Sequence, residues 1–202
     1  MQTTVTKVKN RIRANKRGWV FTPKDFSDLG ESSAILVVLS RLAKEGHVRR
    51  LAQGIYDYPV IHEKLGEISP APEAIAGALV REDKTKLLPS GAYAANLVGL
   101  SQQVPAQVVF LNDSIRRKIK VANMTIELKQ TTRKTMATAG RISGILIQAL
   151  KHLGEDRVDK SVIAKLKRSL DDDQFKQIRK DIRYASPAWV ANALRELSKE
   201  GK

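Results

Sequence analysis

Cysteine is absent from the 202 residues, which excludes disulfides and thiolate-held zinc. Histidine is scarce. His47, His62 and His152 stand far apart, with no carboxylate at metal-ligand spacing, so neither a metal site nor a cofactor is expected. Long apolar runs are also missing: Ala34 to Leu39 is the longest, far short of the roughly 20 residues needed to span a bilayer. The opening segment MQTTVTKVKNRIR has no apolar core of the kind a signal peptide needs. These absences predict a soluble, cytoplasmic protein with no membrane partner.

Acidic residues are the other shortage. There are 36 Lys and Arg against 21 Asp and Glu, for a net charge of +15. So positive a surface predicts a polyanionic partner, nucleic acid first. The excess is uneven, with 12 basic against 7 acidic residues in 1–68, 3 against 4 in 69–114, and 21 against 10 in 115–202. A DNA-binding segment at the N-terminus therefore leaves most of the charge unexplained.

What is present begins with Val5, Val8 and Ile12, spaced as one face of a short helix between Lys7, Lys9, Arg11 and Arg13. Trp19 to Phe21 reads as a strand. Thr22, Pro23 and Asp25 then form a helix start with a variant capping box, and Gly30 ends that helix. From Ser32 or Ser33 to about Glu45, the residues Ile35, Val38, Leu39 and Leu42 make a buried stripe, which turns 33, 36, 37, 40, 41 and 44 outward. Two alternating segments around Gln53-Gly54 read as a hairpin closed by Pro59. Helix, strand, helix, helix and hairpin in this order predict a winged helix-turn-helix over residues 1–68. The Pro- and Gly-containing stretch 60–72 reads as the connection to a second domain, 69–202.

The second domain is expected to be mixed α/β and to end in helices. Its predicted elements are a helix over 73–81, a short strand or turn at 86–89, an alanine-rich helix over 93–100 and a strand over 108–111. A hairpin around Ala122-Asn123 follows, then helices near 142–152, 159–183 (broken at 170–172) and 187–198. The expected fold class is thus α+β.

A winged helix places one helix in the major groove and its hairpin against the backbone. The candidate DNA-binding residues are therefore Ser33, Ser40, Arg41 and Lys44 on the second helix, with Arg49, Arg50 and Gln53 in the wing. Arg116, Arg117, Lys118 and Lys120 are candidate additional basic contacts, and basic runs also occur at Lys129 to Lys134 and Lys165 to Arg168. The segment Pro89 to Asn96 holds Ser90 and Tyr93 but has no histidine, paired carboxylate or phosphate-loop spacing near it. It reads as helix packing, and no enzyme activity is expected. Asp171-Asp172-Asp173 reads as a helix start.

The runs GWVFTPKDFSDLG, LSRLAKEGHVRRLAQGIYDYP and LPSGAYAANLVGLSQQVPAQVVFLND occur in this order. Together they resemble the AbiEi-type antitoxins of bacterial type IV toxin–antitoxin systems. The resemblance extends over most of the chain and is strongest over about residues 18–113. It implies an N-terminal domain that binds inverted repeats in double-stranded DNA of its own promoter and represses transcription. It also implies a C-terminal domain that counteracts a cognate nucleotidyltransferase-type toxin. This chain departs from the family pattern at Leu36 and Val37, where polar residues are usual. Two alternatives stay open: a winged-helix transcription factor whose C-terminal domain senses a small ligand, and an enzyme acting on nucleic acid, such as a nuclease.

Overall fold

The computed structural model describes residues 3–199. Residues 1, 2 and 200–202, which the expected domain ranges include, lie outside the described residues. The chain is a mixed α+β protein with helices at its C-terminal end. It divides into two compact units. One reaches to Glu82 and includes Lys120–Ala122, and the other holds Asp83–Ile119 and the chain from Asn123 onward.

In the first unit, α1 (Thr4–Ala14) is capped by the Thr3 hydroxyl, which accepts the Thr6 N–H at 3.3 Å. It buries Val8 and Ile12. Strand β1 (Val20–Phe21) leads into a 3-10 helix, Pro23–Leu29, whose first turn is fixed by the Thr22 N–H donating to Asp25 Oδ2 at 2.7 Å. Helix α2 (Ser32–Lys44) follows, then β2 (Arg49–Ala52) and β3 (Ile55–Asp57), joined at Gln53-Gly54, where Gly54 takes φ +70°. The three strands form an antiparallel sheet in the order β1-β3-β2. Phe21, Phe26, Ile35, Leu39, Leu42 and Tyr56 make the core between sheet and helices.

The stretch 60–72 is not a bare connection. Val60–His62 (β4) and Gly66–Ile68 (β5) pair as an antiparallel ribbon, and α3 (Pro72–Val80) follows at once. The β-branched pair Val60-Ile61 favours strand, and Gly66 at φ +71° supplies the turn. The compact unit continues past the expected boundary at 68 because α3 packs against β1. Beyond its end, Arg81 donates to the Val20 carbonyl at 2.8 Å and pairs with Asp25.

A four-stranded sheet is formed by β6 (Leu88–Ser90), β7 (Gln107–Asn112), β8 (Arg117–Val121) and β9 (Met124–Gln130), in the order β6-β7-β9-β8. It belongs to the second unit except for the end of β8, where Lys120 and Val121 group with the first. β6 runs antiparallel to β7, and β7 parallel to β9 with Val108 opposite Ile126 and Phe110 opposite Leu128. Helix α4 (Gly91–Leu97) sits between β6 and β7 in the chain. After β9 come α5 (Arg133–Met136), α6 (Ile142–Leu153), α7 (Lys160–Arg168), α8 (Asp172–Asp181) and α9 (Ala188–Leu197). Leu146, Leu150, Ile163, Ile178, Val190 and Leu194 are central to the common core of α6–α9. Asp171 caps α8 by accepting the Gln174 N–H at 2.8 Å, as its run of aspartates predicts. Buried Asp181 accepts from Arg141 Nη1 at 2.8 Å and from Ser143 Oγ at 2.5 Å, which ties α8 to the start of α6. No helix among the described residues is long and apolar enough to cross a membrane.

Among the described glycines of this unit, Gly144 has the closest surroundings. A Cβ there would lie 2.4 Å from the Thr138 carbonyl oxygen and 2.9 Å from Leu88 Cδ1. Gly144→Ala is therefore expected to destabilise by about 1–3 kcal/mol, as overpacking does, despite alanine's better helix propensity. Denaturant unfolding checks this, and a stability at or above that of the parent would contradict it.

Candidate nucleic-acid interface

Helix α2 turns Ile35, Leu39 and Leu42 into the core of the first unit, none more than 1% exposed. Its 3.6-residue period then leaves Ser33, Ala34, Leu36, Val37, Arg41 and Lys44 exposed, with Ser40 half-buried at the margin. The predicted set Ser33, Ser40, Arg41 and Lys44 is thus brought onto one helical surface. At its centre stand two apolar side chains, Leu36 at 45% and Val37 at 68% exposure. No carboxylate lies within Ser32–Lys44. The nearest on the C-terminal side is Glu45, whose Oε1 accepts from Arg41 Nε at 2.7 Å. The Arg41 guanidinium holds the Glu45 carboxyl below the usual carboxylate range, helped by Lys9 and His47. Arg41 itself remains 71% exposed.

The hairpin residues separate into two kinds. Arg50, opposite Tyr56, and Gln53, at the turn, are exposed. The Arg49 guanidinium is instead engaged within the unit. Its Nη2 lies 2.6 Å from Asp57 Oδ2 and its Nε 3.1 Å from Oδ1, a two-pronged pair with a carboxylate that is 1% exposed. Nη2 also donates to the Ile68 carbonyl at 2.8 Å, and Nη1 lies 3.3 Å from Glu67 Oε2. Asp57 holds the guanidinium pKa up, while burial pushes the Asp57 carboxyl up against the pull of Arg49. Strand alternation explains the split, since successive side chains point to opposite faces and Arg50 therefore points away from Asp57.

Arg116, Arg117, Lys118 and Lys120 are exposed at and just before the edge strand β8. Cations on an edge discourage pairing with another chain, so their position has a structural use as well as an electrostatic one. Ser90 and Tyr93 are held in packing. Ser90 Oγ donates to Gln148 Oε1 at 3.1 Å, and the Tyr93 ring meets Phe110 edge-on at 5.7 Å. Ala94 and Ala95 of α4 lie against Ala149 of α6, the close helix contact that the small residues predict.

Sequence reasoning missed two features. The β4–β5 ribbon exposes Val60, Ile61 and Leu65, and the prolines on either side made it read as a loop. The outer face of α8 gathers Lys176, Lys180 and Arg183, all exposed. These are separated in sequence, so a search for adjacent charges passes over them, although their helical spacing was readable.

No curated protein matches this chain. Among solved structures, it is similar to the RV2827C protein from Mycobacterium tuberculosis, 13% identical, with 100% of this chain and 83% of that chain covered and a TM-score of 0.41. Residues 7–178 match the family described as "Family of unknown function (DUF6088)". The chain belongs to the DUF6088 family.

Proposed function

We propose that the first unit is a winged helix-turn-helix that binds its own promoter, and that the protein is an autorepressing antitoxin. The observation that carries the DNA-binding half is the outer face of α2, exposed and free of carboxylates from Ser32 to Lys44, with Arg41 and Lys44 flanking Leu36 and Val37. The order of helix, strand, 3-10 helix, helix and hairpin, with the sheet order β1-β3-β2, supports the same reading. In it, α2 enters the major groove and the hairpin lies along the backbone. Leu36 and Val37 suit the methyl groups of thymine, which are the apolar feature of that groove. Arg41 and Lys44 supply charge-assisted donors to guanine edges or phosphates, while Arg50 and Gln53 reach sugar and phosphate. The antitoxin half, a C-terminal unit that counteracts a nucleotidyltransferase-type toxin, rests on the resemblance to AbiEi-type antitoxins. The basic excess of residues 115–202 is compatible with it.

The test uses the full chain and duplex DNA from upstream of its own reading frame. Arg41→Ala should cost about 1–3 kcal/mol at the specific site and relax sequence preference. Arg50→Ala should weaken operator and scrambled duplexes nearly alike. Both variants should still protect cells that co-express the toxin encoded beside this gene. Absence of any preference for the upstream DNA would sink the repressor reading. Loss of protection with Arg41→Ala would sink the division of labour between the two units.

A further inference from the structure

Helix α8 faces inward through Ile178, which is fully buried, and through half-buried Phe175 and Gln174. Its outer side carries Lys176, Arg179 and Lys180, and the 3-10 turn Ile182–Tyr184 adds Arg183. The spacing i, i+3, i+4, i+7 places all four on one stripe, and all are exposed. Like charges so placed on one helical face repel one another. The helix dipole favours cations in the last turn, Arg179 and Lys180. It gives no reason for Lys176, which pairs with Asp173 at 3.0 Å, nor for Lys167 and Lys199, which line the same groove from other elements.

Those cations line two grooves. One, of about 470 Å³, has Lys167 and Lys199 opposite Lys176 and Arg179. The other, of about 500 Å³, sets Arg141 with Lys176, Lys180 and Arg183. Lys176 belongs to both. Three carboxylates also line them, and two of these are already matched, Asp173 by Lys176 at 3.0 Å and Asp181 by Arg141 and Ser143. Hydrogen bonds hold the wall of the first groove, from Lys167 Nζ to the Lys199 carbonyl at 3.1 Å and from Arg179 Nη1 to the Ser198 carbonyl at 3.3 Å.

We propose that the α8 stripe and its grooves are a second nucleic-acid site, which grips the phosphodiester backbone of duplex DNA without reading bases. The stripe spans about 10 Å at 1.5 Å per residue, a length that along the axis of a duplex holds about three phosphates of one strand at 3.4 Å each. Single strands are held by open aromatic faces on which bases stack. Here Phe175 and Tyr184 are half-buried, and the Arg183 guanidinium lies 4.9 Å over the Tyr184 ring. Lys176 and Lys180 act as point charges on phosphate and lack the fork that recognises a base edge in two places, while the forks of Arg179 and Arg141 already donate to the Ser198 carbonyl and to Asp181. The site uses only residues of the second unit, so it stands or falls independently of promoter reading by α2.

The experiment titrates the full chain against a fluorescent 20-base-pair duplex of random sequence at several salt concentrations. The variant K176E/K180E is compared with K165E/R168E, which changes net charge equally at exposed α7 positions that line neither groove. Every phosphate that is no longer neutralised flattens log K against log salt by about 0.9, or about eightfold in affinity at 0.1 M salt. K176E/K180E should therefore lose about 60-fold in affinity and about 1.8 in slope, with the K165E/R168E slope unchanged. If thermal melting shows K176E/K180E to be unfolded, K176Q/K180Q decides on the same slope criterion. Equal losses in the two charge-reversed variants would mean that net charge alone acts, and would overturn the site. Tighter binding to RNA of the same length, single- or double-stranded, would overturn its assignment to DNA.

Discussion

Arg49→Ala is expected to lower stability by about 3–5 kcal/mol, the usual cost of removing one partner from a buried ion pair. The carboxylate left behind, Asp57, is 1% exposed and sits in β3 at the middle of the β1-β3-β2 sheet. Its two oxygens would lose the guanidinium donors at 2.6 and 3.1 Å, and β5 would lose the bond from Arg49 to the Ile68 carbonyl. Lysine in place of Arg49 restores charge but not the planar fork, so it should recover only part of the loss. The deficit should also depend on pH. Without the lowering pull of Arg49, burial, joined by the Glu67 charge, raises the Asp57 carboxyl further above its ordinary value, opposed only by its backbone hydrogen bond. A group whose folded pKa is raised adds stability below its unfolded pKa and loses it as pH rises through the folded value. The gap between variant and parent should thus be smallest near pH 4 and widen towards neutrality. Urea unfolding at several pH values measures this. A gap that shrinks with rising pH, or a variant as stable as the parent, would refute the role given to the pair.

Phe26→Ala should cost a comparable 3–5 kcal/mol. Phe26 is fully buried, meets Phe21 edge-on at 5.5 Å and Trp19 at 5.7 Å, and lies 5.8 Å beneath the Arg11 guanidinium. It anchors the 3-10 helix on which α2 packs, and Arg11 clamps the same helix from α1 through Asp28 at 2.5 and 2.6 Å. Truncation leaves a void that rigid neighbours, rings above all, fill poorly. Phe26→Leu should lose less than half as much. Because Phe26 is not on the outer face of α2, the DNA affinity proposed for that face should be retained wherever the variant is still folded. A loss of affinity in the folded variant would mean that the 3-10 helix itself contacts DNA.

Legibility in the sequence followed the range of the interactions. Helix α2 was readable because its buried stripe is local and periodic, and the start of α8 because Asp171-Asp172-Asp173 is a contiguous acidic run suited to a helix N-terminus. The hairpins at Gln53-Gly54 and Ala122-Asn123 were readable for the same reason. The part played by Arg49 was hidden because its partners, Asp57, Glu67 and Ile68, stand 8 to 19 residues away, and an arginine in a basic hairpin looks like a phosphate contact. The limit of the first unit was hidden too, since Arg81 reaches back to Asp25 and Val20. At the candidate interface the outward positions of α2 followed from periodicity, whereas the two grooves beside α8 depend on how separate helices pack.

The parallel pairing of β7 with β9 has a consequence for biosynthesis. The strand pairs β6–β7 and β7–β9 lie within residues 88–130, so the whole sheet can assemble soon after Gln130 leaves the ribosome. Helix α6, which packs on β6 and α4, is not complete until Leu153. At the usual 5–20 residues per second, those 23 residues take about one to five seconds. For that interval the nascent sheet lacks the helix that covers β6, and chaperone capture of the growing chain should concentrate there.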